Sequence, residues 1–156
     1  MSPSALIRIA RVACVTAAVA RSMVHRAGGY IVNITSLQAS KVSGAGLAYG
    51  SSKAALMRFT ESLDAELTDA GVIVFDLSPG LVRTQMTSGR PDLDALPAQA
   101  WNPAELTGQY VLRLISGEYD ELHGRGLRVT DDLDALRKVI ADDPDARILR
   151  VQQPKG

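Results

Sequence analysis

Residues 29–36 read GYIVNITS, and the β-branched side chains of residues 30–34 predict a short buried strand. A second apolar run, VIVFDL at residues 72–77, predicts another buried strand. Between them, an apolar stripe at helical spacing predicts a helix over residues 48–68. Buried strands separated by helices indicate a parallel sheet with helices on its faces, so the predicted fold class is α/β.

The rest of the chain continues the alternation of helices and strands. Asn102 and Pro103 predict the start of a helix that runs to about residue 116, because asparagine is a common N-cap and proline suits the first helical position. Residues 126–130 predict a third strand. No repeat, low-complexity tract or linker interrupts the sequence, so residues 1–156 are predicted to form a single domain.

The C-terminal region contains one more predicted helix. Asp131 or Asp132 is expected to cap it, and Pro144 is expected to close it. Residues 148–151 fit either a short edge strand or an extended tail.

The N-terminal segment fits two interpretations. Residues 12–20 are uncharged and end in an A-x-A sequence, which is typical of a weak signal peptide but too short to span a bilayer. Apolar residues at spacings of three and four instead predict an amphipathic helix over residues 5–27, ended by the glycine pair at residues 28–29. The helix is preferred because the strand that follows continues it coherently.

The composition excludes several functional classes. Lys and Arg total 17 and Asp and Glu total 17, so the net charge is zero. A neutral chain lacks the basic surface of nucleic-acid binders and has no electrostatic attraction to anionic membranes. Cys14 is the only cysteine, which excludes an internal disulfide, and with two histidines no metal site is expected. These features favour a cytoplasmic protein.

Tyr49 and Lys53 are the first candidates for chemistry. They lie four residues apart in the predicted helix, so their side chains share one face. An ammonium near a phenol favours the phenolate, which allows the tyrosine to exchange a proton with a hydroxyl or carbonyl substrate. Ser36, at the carboxyl end of the first strand, could donate a hydrogen bond to the substrate oxygen. Taken alone, such a pair is more often a half-buried tyrosine beside a solvated lysine.

Three segments together resemble the short-chain dehydrogenases/reductases. They are GYIVNITS at residues 29–36, YGSSK at residues 49–53 and SPGLVRT at residues 78–84. Tyr49 follows Ser36 by 13 residues, the spacing that this family uses between its catalytic serine and tyrosine, and Pro79 follows Lys53 by 26. The resemblance covers essentially the whole chain. It implies NAD- or NADP-dependent hydride transfer on a small alcohol or carbonyl substrate.

The resemblance also implies roles for individual residues. Tyr49 is the general acid/base, Ser36 orients and polarises the carbonyl, and Lys53 binds the cofactor ribose and tunes Tyr49. The residues implied to line the nicotinamide site are Pro79, Gly80, Val82 and Thr84. Residues 85–101 correspond to the family's substrate loop. Its candidate pocket residues, for which plain packing is an equal explanation, are Met86, Leu93, Leu96 and Trp101.

The sequence departs from the family in its N-terminal part. The sequence contains no Gly-rich turn for the cofactor pyrophosphate. The segment most similar to a G-x-G-x-x-G motif is Gly44-Ala45-Gly46, but Tyr49 stands where the third glycine should be. The family's active-site asparagine would fall near Arg8, and residues 1–28 contain no asparagine. The expected fold is therefore a partial Rossmann-like sheet that lacks the family's first strands. We expect such a truncated chain to bind NAD or NADP weakly and to be weakly active or inactive alone.

The resemblance also suggests partners and alternatives. A sheet without its first strands would expose an edge, and the family dimerises through the helices predicted here at residues 5–27 and 49–69, so a homo-oligomer is expected. One alternative is a non-catalytic module that pairs with a full-length relative through the same helices. A remote alternative is a serine hydrolase, because GSSKA at residues 50–54 resembles a nucleophile elbow centred on Ser52.

Overall fold

The structure, a computed structural model, describes residues 3–41 and 46–149. Within these residues, helices and strands alternate along the chain. The strands are β1 (Gly29–Ile34), β2 (Val72–Ser78), β3 (Leu81–Val82), β4 (Trp101–Asn102) and β5 (Gly126–Arg128). The helices are α1 (Pro3–His25), α2 (Leu47–Leu67), α3 (Pro91–Asp94), α4 (Ala104–Leu114) and α5 (Leu133–Asp142).

The central sheet confirms the predicted parallel arrangement. Its order is β1-β2-β5, and both pairs are parallel. Tyr30 lies opposite Ile73, and Ile34 lies opposite Leu77 at the carboxyl end of both strands. In the described part of the chain, β1 pairs with β2 alone, so its outer edge carries no strand. Strands β3 and β4 form a separate parallel pair beyond the end of β2.

Alternate residues of β2 face two different cores, because successive side chains of a strand point to opposite sides of the sheet. Val72 and Val74 pack against α1 and α2, in a cluster with Ala20 and Ile31. The opposite cluster unites β2 with α4 and α5. Its buried members are Phe75, Leu77, Tyr110, Leu114, Tyr119, Leu122, Leu127, Val129, Leu133 and Leu136. Strand β2 is therefore covered on both faces, which explains why its sequence is apolar without alternation.

One predicted helix start is wrong. Asn102 does not cap α4; Pro103 occupies the N-cap position, without a side-chain cap. The Asn102 Nδ2 atom instead donates to the carbonyl of Pro79 at 2.9 Å, while its backbone lies in β4 opposite Val82. The pairing in β4, together with this hydrogen bond to a partner 23 residues away in the chain, holds Asn102 outside the helix.

The C-terminal predictions have mixed outcomes. Asp132 caps α5 by accepting from the backbone N–H groups of residues 134 and 135. The third strand ends at Arg128, whose backbone N–H donates to the Asp131 carboxylate. Residues 148 and 149 are not in a strand, and residues 150 and 151 lie outside the described residues.

Two further findings concern other parts of the chain. Gly44 and Ala45, of the Gly44-Ala45-Gly46 segment, also lie outside the described residues. No helix in the described part combines the length and apolar character needed to cross a membrane.

An ion pair connects α2 to the loop before β5. The His123 Nδ1 atom lies 2.7 Å from the Asp64 Oδ2 atom, and Asp64 is almost fully buried. The hydrogen bond to Asp64 raises the pKa of His123. A histidine whose pKa is raised in the folded state stabilises it fully below about pH 6.5, and this contribution is lost as the pH rises through the raised pKa.

We therefore expect His123→Gln to lower the urea midpoint of unfolding more near pH 6 than near pH 8.5. The measurement is the difference between wild-type and variant midpoints across this range. His25→Gln is the matched control, since His25 is exposed and makes no ion pair among the described residues. A difference that does not change with pH would show that His123 contributes nothing through its charge.

Candidate functional site

Ser36 lies at the carboxyl edge of the sheet, as predicted. The backbone N–H of Thr35 donates to the carbonyl of Leu77 at 2.9 Å and extends the pairing of β1 with β2 by one residue. The chain then turns into a short 3₁₀ helix over Leu37–Ala39, whose N-cap is Ser36. The Ser36 Oγ atom accepts from the backbone N–H of Gln38 at 3.3 Å. This cap orients the serine hydroxyl at the end of the strand.

Tyr49 and Lys53 project from the first turns of α2. The Lys53 Nζ atom donates to the carbonyl of Ile34, the last residue of β1, at 2.8 Å. The same atom lies 5.9 Å from the centre of the Tyr49 ring. The predicted sharing of one helix face is therefore confirmed, and the lysine is fixed between the tyrosine and the end of β1.

A cleft of about 310 Å³ contains this pair. It opens between α1, the free edge of β1 and α2. The residues that line it are Ile9, Val12, Val32, Asn33, Ile34, Tyr49, Ser52, Lys53 and Leu56. An apolar wall with a few polar groups on one side is typical of small-molecule sites.

Ser36 lines a different cavity, of about 140 Å³, whose lining does not include Lys53. This second cavity lies between α2, the ends of β1, β2 and β5, and residues 147–148. The structure therefore brings Tyr49 and Lys53 together in one cleft but places Ser36 in the wall of its neighbour.

Ser52 does not have the geometry of a nucleophile elbow. It lies inside α2, and the residues directly before it, from Leu47, are helical, whereas an elbow requires a strand there. Its hydroxyl donates to the carbonyl of Tyr49 at 2.8 Å, and its side chain is buried. The serine hydrolase alternative fails on both counts.

Asp76 is a notable residue that the sequence patterns did not single out. It is 1% exposed, in the middle of β2, and lines the cavity that contains Ser36. Thr35 Oγ1 donates to its Oδ1 atom, while its Oδ2 atom has no hydrogen-bond partner among the described residues. Burial raises the pKa of Asp76 from 3.8 to about 7, although the bond from Thr35 and the charge of Lys53 oppose the shift. The sequence did contain a signal for Asp76, because it lies inside an apolar run. Burying a carboxylate costs free energy, so one in a buried strand normally has a structural or functional role.

The Pro-Gly segment forms a braced turn at the end of β2. Gly80 has φ +71, and a Cβ atom there would lie 2.4 Å from Asn102 Nδ2, so only glycine fits. Val82 pairs with Asn102 across β3 and β4. The backbone N–H of Thr84 donates to Thr87 Oγ1 at 2.8 Å. These residues line neither of the two cavities described above.

The predicted substrate loop contains both exposed and packed side chains. Met86 is 58% exposed, whereas Leu93 and Leu96 are half-buried. Trp101 is also half-buried, and the guanidinium carbon of Arg83 lies 4.4 Å from the centre of its ring. Within the described ranges, no three His, Cys, Asp or Glu side chains are grouped so that they could hold a metal ion.

Comparison with known sequences identifies relatives of this chain. The sequence model of the short chain dehydrogenase family matches residues 7–93. A short chain dehydrogenase of Pseudocercospora fijiensis is 42% identical over 91 residues, which are 58% of this chain and 28% of that protein. Carbonyl reductase family member 4 of Xenopus tropicalis is 35% identical over 103 residues, which are 64% of this chain and 43% of that protein. The chain thus spans less than half the length of these relatives.

Solved structures share the fold. A short chain dehydrogenase/reductase family protein matches with a TM-score of 0.66 and 36% identity, over 75% of this chain and 50% of its own. A gluconate 5-dehydrogenase from Burkholderia cenocepacia, in complex with NADP and tartrate, matches with a TM-score of 0.66 and 26% identity, over 78% and 51%. The predicted partial Rossmann-like α/β fold is confirmed. Because the family model matches more than half of its 156 residues, the chain belongs to the short chain dehydrogenase family.

Proposed function

We propose that this chain performs the proton-transfer and substrate-binding half of an NAD- or NADP-dependent oxidoreductase that interconverts an alcohol and a carbonyl compound. The observation that supports this most is the placement of Tyr49 and Lys53 on one face of α2, in one cleft, with the lysine 2.8 Å from the carbonyl of Ile34. A charged lysine anchored at this point holds a fixed positive field beside the phenol.

The proposed chemistry assigns one task to each side chain. In reduction, the Tyr49 hydroxyl gives its proton to the carbonyl oxygen as negative charge develops there, and in oxidation the phenolate takes the alcohol proton back. Lys53 stabilises the phenolate through its charge. By family resemblance, Ser36 would donate a hydrogen bond to the same substrate oxygen. This role requires a substrate that reaches from the Tyr49 cleft to the neighbouring cavity that Ser36 lines.

The residues present suit the nicotinamide end of the cofactor. The cleft combines an ammonium and a phenol, a donor and a donor–acceptor that match the hydroxyl groups of a ribose. By family resemblance, Pro79, Gly80, Val82 and Thr84 would line the nicotinamide itself. When bound, the nicotinamide supplies or accepts the hydride. The sequence contains no G-x-G-x-x-G turn, so the residues named here would contact only the nicotinamide and its ribose, not the pyrophosphate.

A second candidate function is a non-catalytic module that pairs with another subunit of the family through α1 and α2. The observation that favours it is a pair of exposed apolar side chains one turn apart on α1. Val15 is 64% exposed and Val19 is 42% exposed. Native mass spectrometry, alone and with a full-length relative, would detect such a pair. A homo-oligomer formed by the same surface is compatible with catalysis, so a turnover assay must separate the two functions.

The deciding assay follows nicotinamide absorbance with a panel of ketones and aldehydes. We expect slow turnover from these 156 residues, because their sequence contains no G-x-G-x-x-G turn. We expect a loss of about tenfold or more in Lys53→Met, since hydrogen bonds to charged groups contribute about 1.5–3 kcal/mol. Lys138→Met is the matched control, because Lys138 is an exposed lysine on α5. Turnover that Lys53→Met leaves unchanged would refute the assignment, and no turnover with any substrate would favour the non-catalytic module.

A further inference from the structure

Arg83 is stacked on the only tryptophan of the chain. Its guanidinium carbon lies 4.4 Å from the centre of the Trp101 ring, and Arg83 is exposed. In the described part of the chain, no carboxylate lies within ion-pair distance of Arg83, and no hydrogen bond of its side chain is found. Stacking occupies the flat face of a guanidinium and leaves the N–H groups along its edge directed outward.

The Trp101 ring, the platform under Arg83, lies in a segment that hydrogen bonds and strand pairing hold in place on both sides. Leu81 pairs with Trp101 across β3 and β4. Asn102, the next residue, donates to the carbonyl of Pro79 at 2.9 Å. On the other side, the Thr87 hydroxyl donates to the carbonyl of Val82 at 3.1 Å. The backbone on both sides of the stacked pair is therefore held before any ligand arrives, which reduces the entropy cost of binding.

The tryptophan adds a second donor without an acceptor. The Trp101 Nε1 atom is buried and has no hydrogen-bond partner among the residues that the structure describes. A buried donor without an acceptor is costly, and such groups normally find a partner. The stacked pair thus holds two donor groups without an acceptor among the described residues, which favours a ligand that brings acceptor oxygens. Because the guanidinium is charged, the acceptor with the greatest gain is an anion that accepts two parallel hydrogen bonds.

The location connects this platform to the proposed site. Strand β2 ends at Ser78, beside the end of β1 that leads into Ser36, and Arg83 follows five residues later. Ligands of open α/β sheets bind outside the carboxyl ends of the strands, and Arg83 follows the carboxyl end of β2 along the chain.

We propose that Arg83, held on Trp101, binds the carboxylate of the substrate, so that the protein acts on hydroxy acids and oxo acids. This inference rests on the proposed oxidoreductase function. A phosphate group offers the same acceptor chemistry, and a phosphate of the cofactor is therefore the competing occupant.

Trp101 makes the test possible without turnover, because its emission reports on its own stacked partner. The full chain is titrated with gluconate, with sorbitol as the matched polyol without a carboxylate, and with inorganic phosphate. We expect a saturable change in tryptophan emission with gluconate, none with sorbitol, and a weaker response to phosphate. Arg83→Gln should weaken the apparent gluconate affinity about tenfold or more, and Arg83→Lys should restore part of it.

Arg90→Gln is the matched control. It removes the same charge from the same loop, but the Arg90 guanidinium is already paired with Asp92 at 2.6 Å. Its response to gluconate should equal that of the wild type, and circular dichroism should show that every variant is folded. Equal gluconate affinity in wild type and Arg83→Gln, or no saturable response in the wild type, overturns the proposal. A stronger response to phosphate than to gluconate overturns it in favour of the cofactor.

The two proposals can fail separately. Arg83-dependent gluconate binding in a protein that turns over no carbonyl substrate would refute the oxidoreductase function and leave the carboxylate site standing. Turnover that depends on Lys53, without Arg83-dependent gluconate binding, would refute the carboxylate site alone.

Discussion

Tyr49→Phe is expected to lower kcat/KM for carbonyl reduction by about 10²–10⁴-fold, the range associated with the loss of a general acid. Phenylalanine keeps the ring next to Lys53 and removes only the hydroxyl that gives up the proton. The ring contact at 5.9 Å from the lysine should persist, so the fold should be unaffected. The measurement is the steady-state rate over a range of substrate concentrations, with the thermal midpoint recorded for each protein.

Tyr30→Phe is the matched control for this substitution. Tyr30 is also half-buried, but it lies near the amino end of β1, at the opposite edge of the sheet, where its hydroxyl donates to Asp120 at 3.1 Å. Its removal should leave kcat/KM unchanged and reduce stability slightly. If Tyr49→Phe retained the wild-type rate, the proton would have to come from another group, and the Tyr49 assignment would be wrong.

Asp76→Asn is expected to stabilise the protein strongly near pH 8 and hardly at all near pH 4. The pKa of Asp76 is about 7 in the folded protein and 3.8 ordinarily, so the folded state binds more protons than the unfolded state between these values. The stability of the wild type therefore falls as the pH rises through this range. A difference of about three pKa units changes the free energy of unfolding by at most about 4 kcal/mol. The Tm of the variant should therefore rise by about 10 °C at the upper end of this pH range.

Asparagine is a suitable replacement because its carbonyl oxygen can still accept the hydrogen bond from Thr35. Thermal or urea unfolding of both proteins from about pH 4 to pH 8 gives the comparison. Asp92→Asn serves as the control, since Asp92 is exposed, pairs with Arg90 and has a lowered pKa. Parallel pH profiles for wild type and Asp76→Asn would show that Asp76 ionises normally in the folded protein.

The predicted elements agree best with the structure where local signals are strong. The two apolar runs became β1 and β2, within one residue at each end, because burial on both faces requires apolar side chains throughout. Asp132 was one of two proposed caps and is the one used, since a carboxylate can reach the free N–H groups of the next turn. The Asn102 cap is wrong because the backbone of Asn102 pairs in β4 and its side chain donates to the carbonyl of Pro79, a partner distant in sequence.

The sequence by itself determined the family resemblance, the α/β class and the shared face of Tyr49 and Lys53. Spacing within one helix determines which side chains share a face, whatever the rest of the chain does. Only the tertiary structure decided which groups meet across elements. It placed Ser36 in a cavity separate from the Tyr49 cleft, and it stacked Arg83 on Trp101. Such contacts depend on how β1, β2 and the β3–β4 pair are arranged in space, and no local pattern records that arrangement.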